Sequence, residues 1–118
     1  MIEDLIARVF ATRNASHLEH WRTKSFAQHE ALGDLYEGLI SGIDSLVEAY
    51  QGVFDLVSVG ALDKQPKVQN IVAHLEEDLV WINKNRKAIC NGLPAIDNIL
   101  QDLEGVYLKA LYKLKHLS

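Results

Sequence analysis

Apolar side chains recur every three or four residues along four stretches of this chain, which is the spacing of one face of an α-helix. No stretch shows the two-residue alternation of a half-buried strand. The four stretches are residues 2–23, 26–51, 67–90 and 94–117. The pattern predicts an all-α fold, an antiparallel four-helix bundle in a single domain over residues 1–118, with one long crossover connection between helices two and three.

That second connection contains the one ambiguous segment. Residues 53–59 are apolar enough for a strand, but a lone strand has no partner in an otherwise helical chain. We therefore interpret residues 53–59 as a short helix inside a connection that crosses the bundle.

The amino-acid composition argues against several classes of function. The chain has 118 residues, 48% of them apolar, and a formal net charge of −4, which argues against nucleic acid or an anionic membrane as a partner. Its single cysteine, Cys90, allows no disulfide within the chain. With no signal-peptide pattern and no run approaching ~20 apolar residues, we expect a cytoplasmic protein that associates with copies of itself.

Polar residues interrupt the apolar faces of the first two helices. At about 100° per residue, Arg13, His17 and His20 fall close to the centre of the first helix's apolar face, and His29 falls on that of the second. Burying such groups without partners costs several kcal/mol, so they are paired, metal-bound, or less buried than the pattern suggests.

Asp44 and Glu48 lie one helical turn apart, so both carboxylates can reach one cation. Fifteen residues separate His29 from Asp44, about 22 Å along a helix, and one chain therefore cannot close a site from all of them. Two copies of helix two packed antiparallel across a two-fold axis near Glu37 would bring His29 of one to Asp44 and Glu48 of the other, twice. Two histidines and two carboxylates suit Fe(II), Mn(II) or Zn(II).

Simpler interpretations compete with a metal site. A single histidine on an apolar face is more often part of a packed core, and an Asp-x-x-x-Glu pair is more often solvated surface. A second hypothesis is therefore a non-catalytic helical dimer or interaction module, held by histidine–carboxylate hydrogen bonds without metal. On helix three, His74, Glu77 and Asp78 favour a solvated face over a cation site, and Arg86 favours pairing with a carboxylate at the end of the bundle.

The arrangement of these residues resembles a known family. His20-Trp21, the segment FAQHEAL at residues 26–32, and Asp44-x-x-x-Glu48 are similar to the ferroxidase pattern of the Dps-like mini-ferritins of the ferritin-like superfamily. The sequence departs from that pattern at Gly33, where many members carry an acid, and in a shorter turn before His29.

The resemblance implies an iron site between two subunits, with His20 and His29 from one and Asp44 and Glu48 from the other. It also implies oxidation of Fe(II) by peroxide or dioxygen, with Trp21 beside the metal. Glu37, His17 and Arg13 would lie near the sites, and manganese or zinc are the alternative metals.

Overall fold

The computed structural model describes residues 1–60, 62 and 67–118 of the chain, and its secondary structure over these ranges is helical without strands. The all-α class predicted from the sequence is confirmed. Over the same ranges, no helix is long and apolar enough to cross a membrane. The helices are α1 (Ile2–Arg22), α2 (Phe26–Val53), α3 (Ile71–Cys90) and α4 (Pro94–His116).

Residues with short polar side chains lie at the starts of α2 and α3 and at the end of α3. Ser25 caps α2 by accepting a hydrogen bond from the backbone N–H of Gln28, and Asn70 caps α3 by accepting one from Ala73. The predicted start of helix three at residue 67 is therefore wrong by one turn, because the Asn70 side chain fixes the first turn further along. At the other end of α3, Asn91 adopts a left-handed conformation with φ of 52°, which ends the helix.

The short helix predicted at residues 53–59 is wrong. Instead, α2 continues to Val53, and residues 55–60 have no helical structure. Leu56 is 80% exposed and Val59 is 66% exposed, so their apolar side chains have no surface against which a helix could be stabilised. A single isolated turn is marginal without such packing. Residues 61 and 63–66 of the connection lie outside the described residues.

The backbones of four pairs of helices lie side by side within the described structure: α1 with α2 and with α3, and α4 with α2 and with α3. The diagonal pairs, α1 with α4 and α2 with α3, lie further apart. Two glycines bring α2 close to α4. A Cβ atom on Gly38 would lie 2.8 Å from Val106 Cγ1, and one on Gly42 would lie 2.8 Å from Leu103 Cδ1. The later glycine of α2 therefore meets the earlier residue of α4, so α2 and α4 are antiparallel.

The core between the helices is largely aliphatic. The side chains of Leu5, Leu32, Leu39, Leu75, Ile82 and Leu100 are among those fully excluded from solvent. Burying a side chain of this size contributes about 1.5–3 kcal/mol relative to leaving it exposed. The bundle is therefore held by apolar contacts, and polar groups inside it require specific partners.

Candidate functional site

His20 near the end of α1 and His29 in the first turn of α2 form a stacked pair, with ring centroids 3.6 Å apart and ring planes 17° apart. His20 Nδ1 donates to the backbone carbonyl of His29 at 2.6 Å, and His29 Nδ1 donates to the carbonyl of His20 at 2.8 Å. A carbonyl oxygen only accepts, so each Nδ1 carries the proton. In the neutral rings Nε2 is then the nitrogen with a free lone pair.

Local geometry explains this pairing. The turn between α1 and α2 is only residues 23–25, so the histidines on either side of it meet. The carbonyl of His20 belongs to the last turn of α1, where backbone acceptors lack an intrahelical donor. Gly33 lies beneath the His20 ring, where a Cβ atom would be 3.2 Å from its Cε1. Gly33 therefore leaves the space that the His20 imidazole occupies.

Both Nε2 atoms are open to solvent. Within the described residues, neither has a hydrogen-bond partner, and the one buried side-chain nitrogen or oxygen without a partner is Arg13 Nε. Imidazoles that bind metals commonly donate one ring N–H to a backbone carbonyl or carboxylate and bind through the other nitrogen. The two histidines already have this arrangement.

Aromatic and cationic groups continue along α1 and α2 from the histidine pair. The His17 ring stacks on Tyr36 at 4.0 Å and contacts Trp21 at 4.4 Å, and the Arg13 guanidinium lies 5.3 Å from the Tyr36 ring. Burial lowers the pKa of His17 below its ordinary 6.5, and electrostatic interactions with Arg13 and then with His20 lower it further. His17 is therefore neutral at pH 7.

Asp44 and Glu48 lie on the same continuous helix as His29 but far from it. Both are exposed, and neither makes a hydrogen bond or an ion pair in the part of the chain that the structure describes. The rise of the helix places Asp44 about 22 Å from His29, with exposed Glu37 between them. Each chain thus carries two imidazoles at one end and two carboxylates towards the other.

The possible metal ligands of one chain therefore lie in two separate places, the imidazoles in one and the carboxylates in the other. Over the described ranges, no group of three or more His, Cys, Asp and Glu side chains could hold a metal ion. The residues fit a metal only as two half-sites, because the imidazole nitrogens and the carboxylate oxygens are suitable donors but do not meet. Within the described residues, one chain therefore does not bring the imidazole and carboxylate groups together.

A second histidine–carboxylate cluster, which the sequence did not predict, lies inside the bundle. Asp78 on α3 is 1% exposed and accepts hydrogen bonds from Tyr107 Oη at 2.8 Å, from Arg8 Nη1 at 3.1 Å and from the Thr12 hydroxyl. Since Thr12 gives its only proton to Asp78, its oxygen accepts from His74 Nε2 at 2.8 Å. The prediction of a solvated face is wrong for Asp78, because α1 and α4 cover it.

Burial and the negative charge of Asp78 raise the pKa of the Tyr107 hydroxyl well above its ordinary value. Tyr107 therefore stays protonated and remains a donor. Arg86 pairs with Asp97 and Glu104 on α4, as the sequence predicts. The hydrogen bond that Arg86 donates to Glu104 is the main cause that raises the pKa of Arg86.

Sequence reasoning missed three contributors to these clusters. The pattern of apolar residues does not single out Tyr36, which stacks on His17; its spacing from His29, seven residues or two turns, places it on the same face. Gly33 stands out in the sequence only as a departure from an acidic position, whereas in the structure it accommodates His20. The local pattern places Asp78 only near the edge of the apolar stripe of α3 and does not predict its burial, because its partners come from two other helices.

The profile of a family of unknown function, DUF5856, matches residues 20–114. This span includes both histidines of the stacked pair, both carboxylates and the whole of α2, α3 and most of α4. No curated protein and no solved structure matches the chain.

Proposed function

The chain belongs to the DUF5856 family, and we propose that it is a ferritin-like, iron-binding protein whose metal sites form between two copies of the chain. His20 and His29 of one copy and Asp44 and Glu48 of the other supply the ligands. The observation that carries this proposal is the histidine pair, in which both Nδ1 protons are held by backbone carbonyls and each Nε2 atom is free to bind a cation in the plane of its own ring. Because the two rings are nearly parallel and 3.6 Å apart, their lone pairs do not converge, so the rings have to tilt apart if both are to bind one ion.

The helix arrangement supports the ferritin-like part of the proposal. Along α1 and α3, Arg8 pairs with Asp78 and Thr12 with His74, so these helices run in opposite directions, as α2 and α4 do. The short turns make α1 antiparallel to α2 and α3 antiparallel to α4. Non-adjacent α2 and α3 then run parallel, which is the relative direction of the two helices that a crossover joins in ferritin-like folds.

Exposed apolar side chains support the head-to-tail dimer. With the two-fold axis near Glu37, the α1–α2 turn of one copy lies against the end of α2 of the other. Trp21 and Phe26 are 67% and 77% exposed at the first end, and Val53 and Phe54 are 52% and 40% exposed at the second. A two-fold axis pairs these ends twice, so both apolar groups become covered.

The ligand types suit the proposed chemistry. Neutral imidazole nitrogens bind Fe(II) well, and the negative charge of the carboxylates favours the higher oxidation state. This suits a site at which substrate Fe(II) gives its electron to peroxide or dioxygen. Trp21, next to His17, would lie close to the site. The same donors accept Mn(II) or Zn(II).

Elemental analysis of the purified protein and the rate of Fe(II) oxidation, followed by ultraviolet absorbance, test the proposal. We expect bound metal and a rate above buffer in the wild type, and loss of both in His29→Ala and in Asp44→Ala. Asp102→Asn, an exposed carboxylate on α4, is the matched control and keeps both properties. Absence of metal and of any rate above buffer in the wild type contradicts the proposal.

Mixing the two inactive variants tests the sharing of sites. In a dimer of His29→Ala with Asp44→Ala, one site lacks both side chains, whereas the other keeps all four ligands. Activity should therefore return on mixing, and no recovery despite exchange of subunits contradicts a shared site.

A non-catalytic dimer is the second candidate, and one observation favours it. The reciprocal hydrogen bonds of His20 and His29 already fasten the end of α1 to the start of α2, a structural role that requires no metal. A dimer that persists with no bound metal and no Fe(II) oxidation would favour this candidate.

A further inference from the structure

We propose that metal binding drives dimerisation of this chain, so that filling the shared sites and joining the two copies are one coupled equilibrium. This inference rests on the proposed function. It concerns the regulation of the same sites and follows from the charges that the dimer would place opposite one another.

The interface helix is acidic throughout. Over its 28 residues, α2 has no lysine or arginine, and its five carboxylates are Glu30, Asp34, Glu37, Asp44 and Glu48. Of these, Asp34 is paired with Lys113 of α4 at 3.2 Å. Glu37, Asp44 and Glu48 make no ion pair within the described residues, and all three are exposed. The charge of the proposed interface is thus uncompensated in a single chain.

A two-fold axis doubles this charge. Glu37, next to the axis, would face its own copy, because an isologous interface brings equivalent residues together at its centre. The cations beside this face are Arg13, Arg22, which pairs with Glu19 of its own chain at 3.9 Å, and Lys24 in the α1–α2 turn. These three are fewer than the five carboxylates of α2. Without added cations, like charges therefore oppose association.

Metal ions bound at the two half-sites would offset this excess of negative charge. A divalent cation bound to the histidines of one copy faces Asp44 and Glu48 of the other, and the same contact forms at the second site. The metal thereby supplies the positive charge that the interface lacks. By linkage, a cation that strengthens dimerisation is itself bound more tightly by the dimer than by the monomer.

Sedimentation equilibrium of the full chain, with Zn(II) as a redox-inert probe and with EDTA, measures the coupling. We expect the dimer Kd to fall by at least about tenfold in Zn(II), within the usual range of such coupling. Mg(II) at the same ionic strength should leave the Kd unchanged, because it binds imidazole nitrogen poorly. His29→Ala should lose the response to Zn(II).

Charge removal gives an independent measurement. Glu37→Gln relieves repulsion at the axis without changing a proposed ligand, so this variant should dimerise more tightly than the wild type in EDTA. Asp102→Asn removes one carboxylate from the distant surface of α4 and should leave the Kd unchanged. The apparent affinity for Zn(II) should also rise when the protein is concentrated.

The outcomes separate the two proposals. Stoichiometric Zn(II) binding through His29 with the same dimer Kd in Zn(II) and EDTA overturns the coupling and leaves the shared metal site standing. Equal effects of Mg(II) and Zn(II) also overturn it, because general screening would then explain association. Absence of Zn(II) binding at every protein concentration overturns the proposed function, and the coupling with it.

Discussion

The interior of the bundle and the outer face of α1 and α2 each contain histidine and carboxylate side chains. These side chains have their hydrogen-bond partners within the chain in the first region, whereas many of their polar atoms are free in the second. Around Asp78 the donors and acceptors come from three helices, and all the contacts are completed within one chain. On the outer face, His20 and His29 use only Nδ1, while Asp44 and Glu48 are exposed and unpaired among the described residues. The same residue types therefore stabilise the fold in one region and remain available for binding in the other.

Removal of the two carboxylates should give the largest difference between the regions. Asp78→Ala leaves Tyr107, Thr12 and Arg8 without their shared acceptor in a buried place, and should lower the free energy of unfolding by about 3–5 kcal/mol. Asp44→Ala removes an exposed group without partners and should change it by less than about 0.5 kcal/mol. Urea unfolding followed by circular dichroism measures both, and equal losses would contradict the contrast.

Removal of single hydroxyl groups should give a smaller difference. Tyr107→Phe keeps the ring in the core but deletes one hydrogen bond to Asp78, so we expect a loss of about 1–1.5 kcal/mol in the same unfolding experiment. Tyr36→Phe is the control on the outer face, because the Tyr36 ring makes its contacts by stacking. A comparable loss in Tyr36→Phe would mean that its hydroxyl has a role not visible in the structure.

Two glycines of α2 sharpen the comparison further. Gly52→Ala places a methyl group in open space and should stabilise the helix by up to about 1 kcal/mol. Gly33→Ala gains the same helix propensity but meets the His20 ring, so its stabilisation should be smaller and its Zn(II) affinity should fall. Unfolding curves and Zn(II) titrations of both variants test this, and unchanged Zn(II) affinity in Gly33→Ala would separate the glycine from the histidine pair.

The smallest expected effect is that of pH on His17. Its pKa is lowered in the folded chain, so the unfolded chain takes up the proton first as pH falls below about 6.5. Stability should therefore be complete above this pH and decline as pH falls towards the folded pKa. Nuclear magnetic resonance titration of the His17 ring and thermal unfolding between pH 7 and 5 measure this, and His17→Gln should weaken the dependence.

The sequence predicted the helices well where local signals determine them. Apolar spacing located all four helices, and Asn91 with Pro94 marked the boundary between α3 and α4. The start of α3 was misplaced because the capping contact of Asn70 is a matter of side-chain geometry, which periodicity does not report. The short helix at residues 53–59 was predicted from apolar composition, although those side chains find nothing to pack against.

The candidate site was predictable only in part. The short turn predicts that His20 and His29 are neighbours, but not that each ring donates to the backbone of the other. The pattern of apolar and polar residues describes side chains and says nothing about backbone carbonyl groups. Asp78 was assigned to the surface since its position on α3 is near the edge of the apolar stripe. Its burial depends on Thr12 and Tyr107, which approach from distant parts of the chain.

The backbone hydrogen bonds of the stacked histidines have a chemical consequence that does not depend on any metal. Because both Nδ1 lone pairs are engaged as N–H bonds, an acylating or alkylating electrophile can react only at Nε2 of either ring. Mass spectrometry of the modified peptides should find a single regioisomer on both histidines. The main chain thus dictates the regiochemistry of these two side chains.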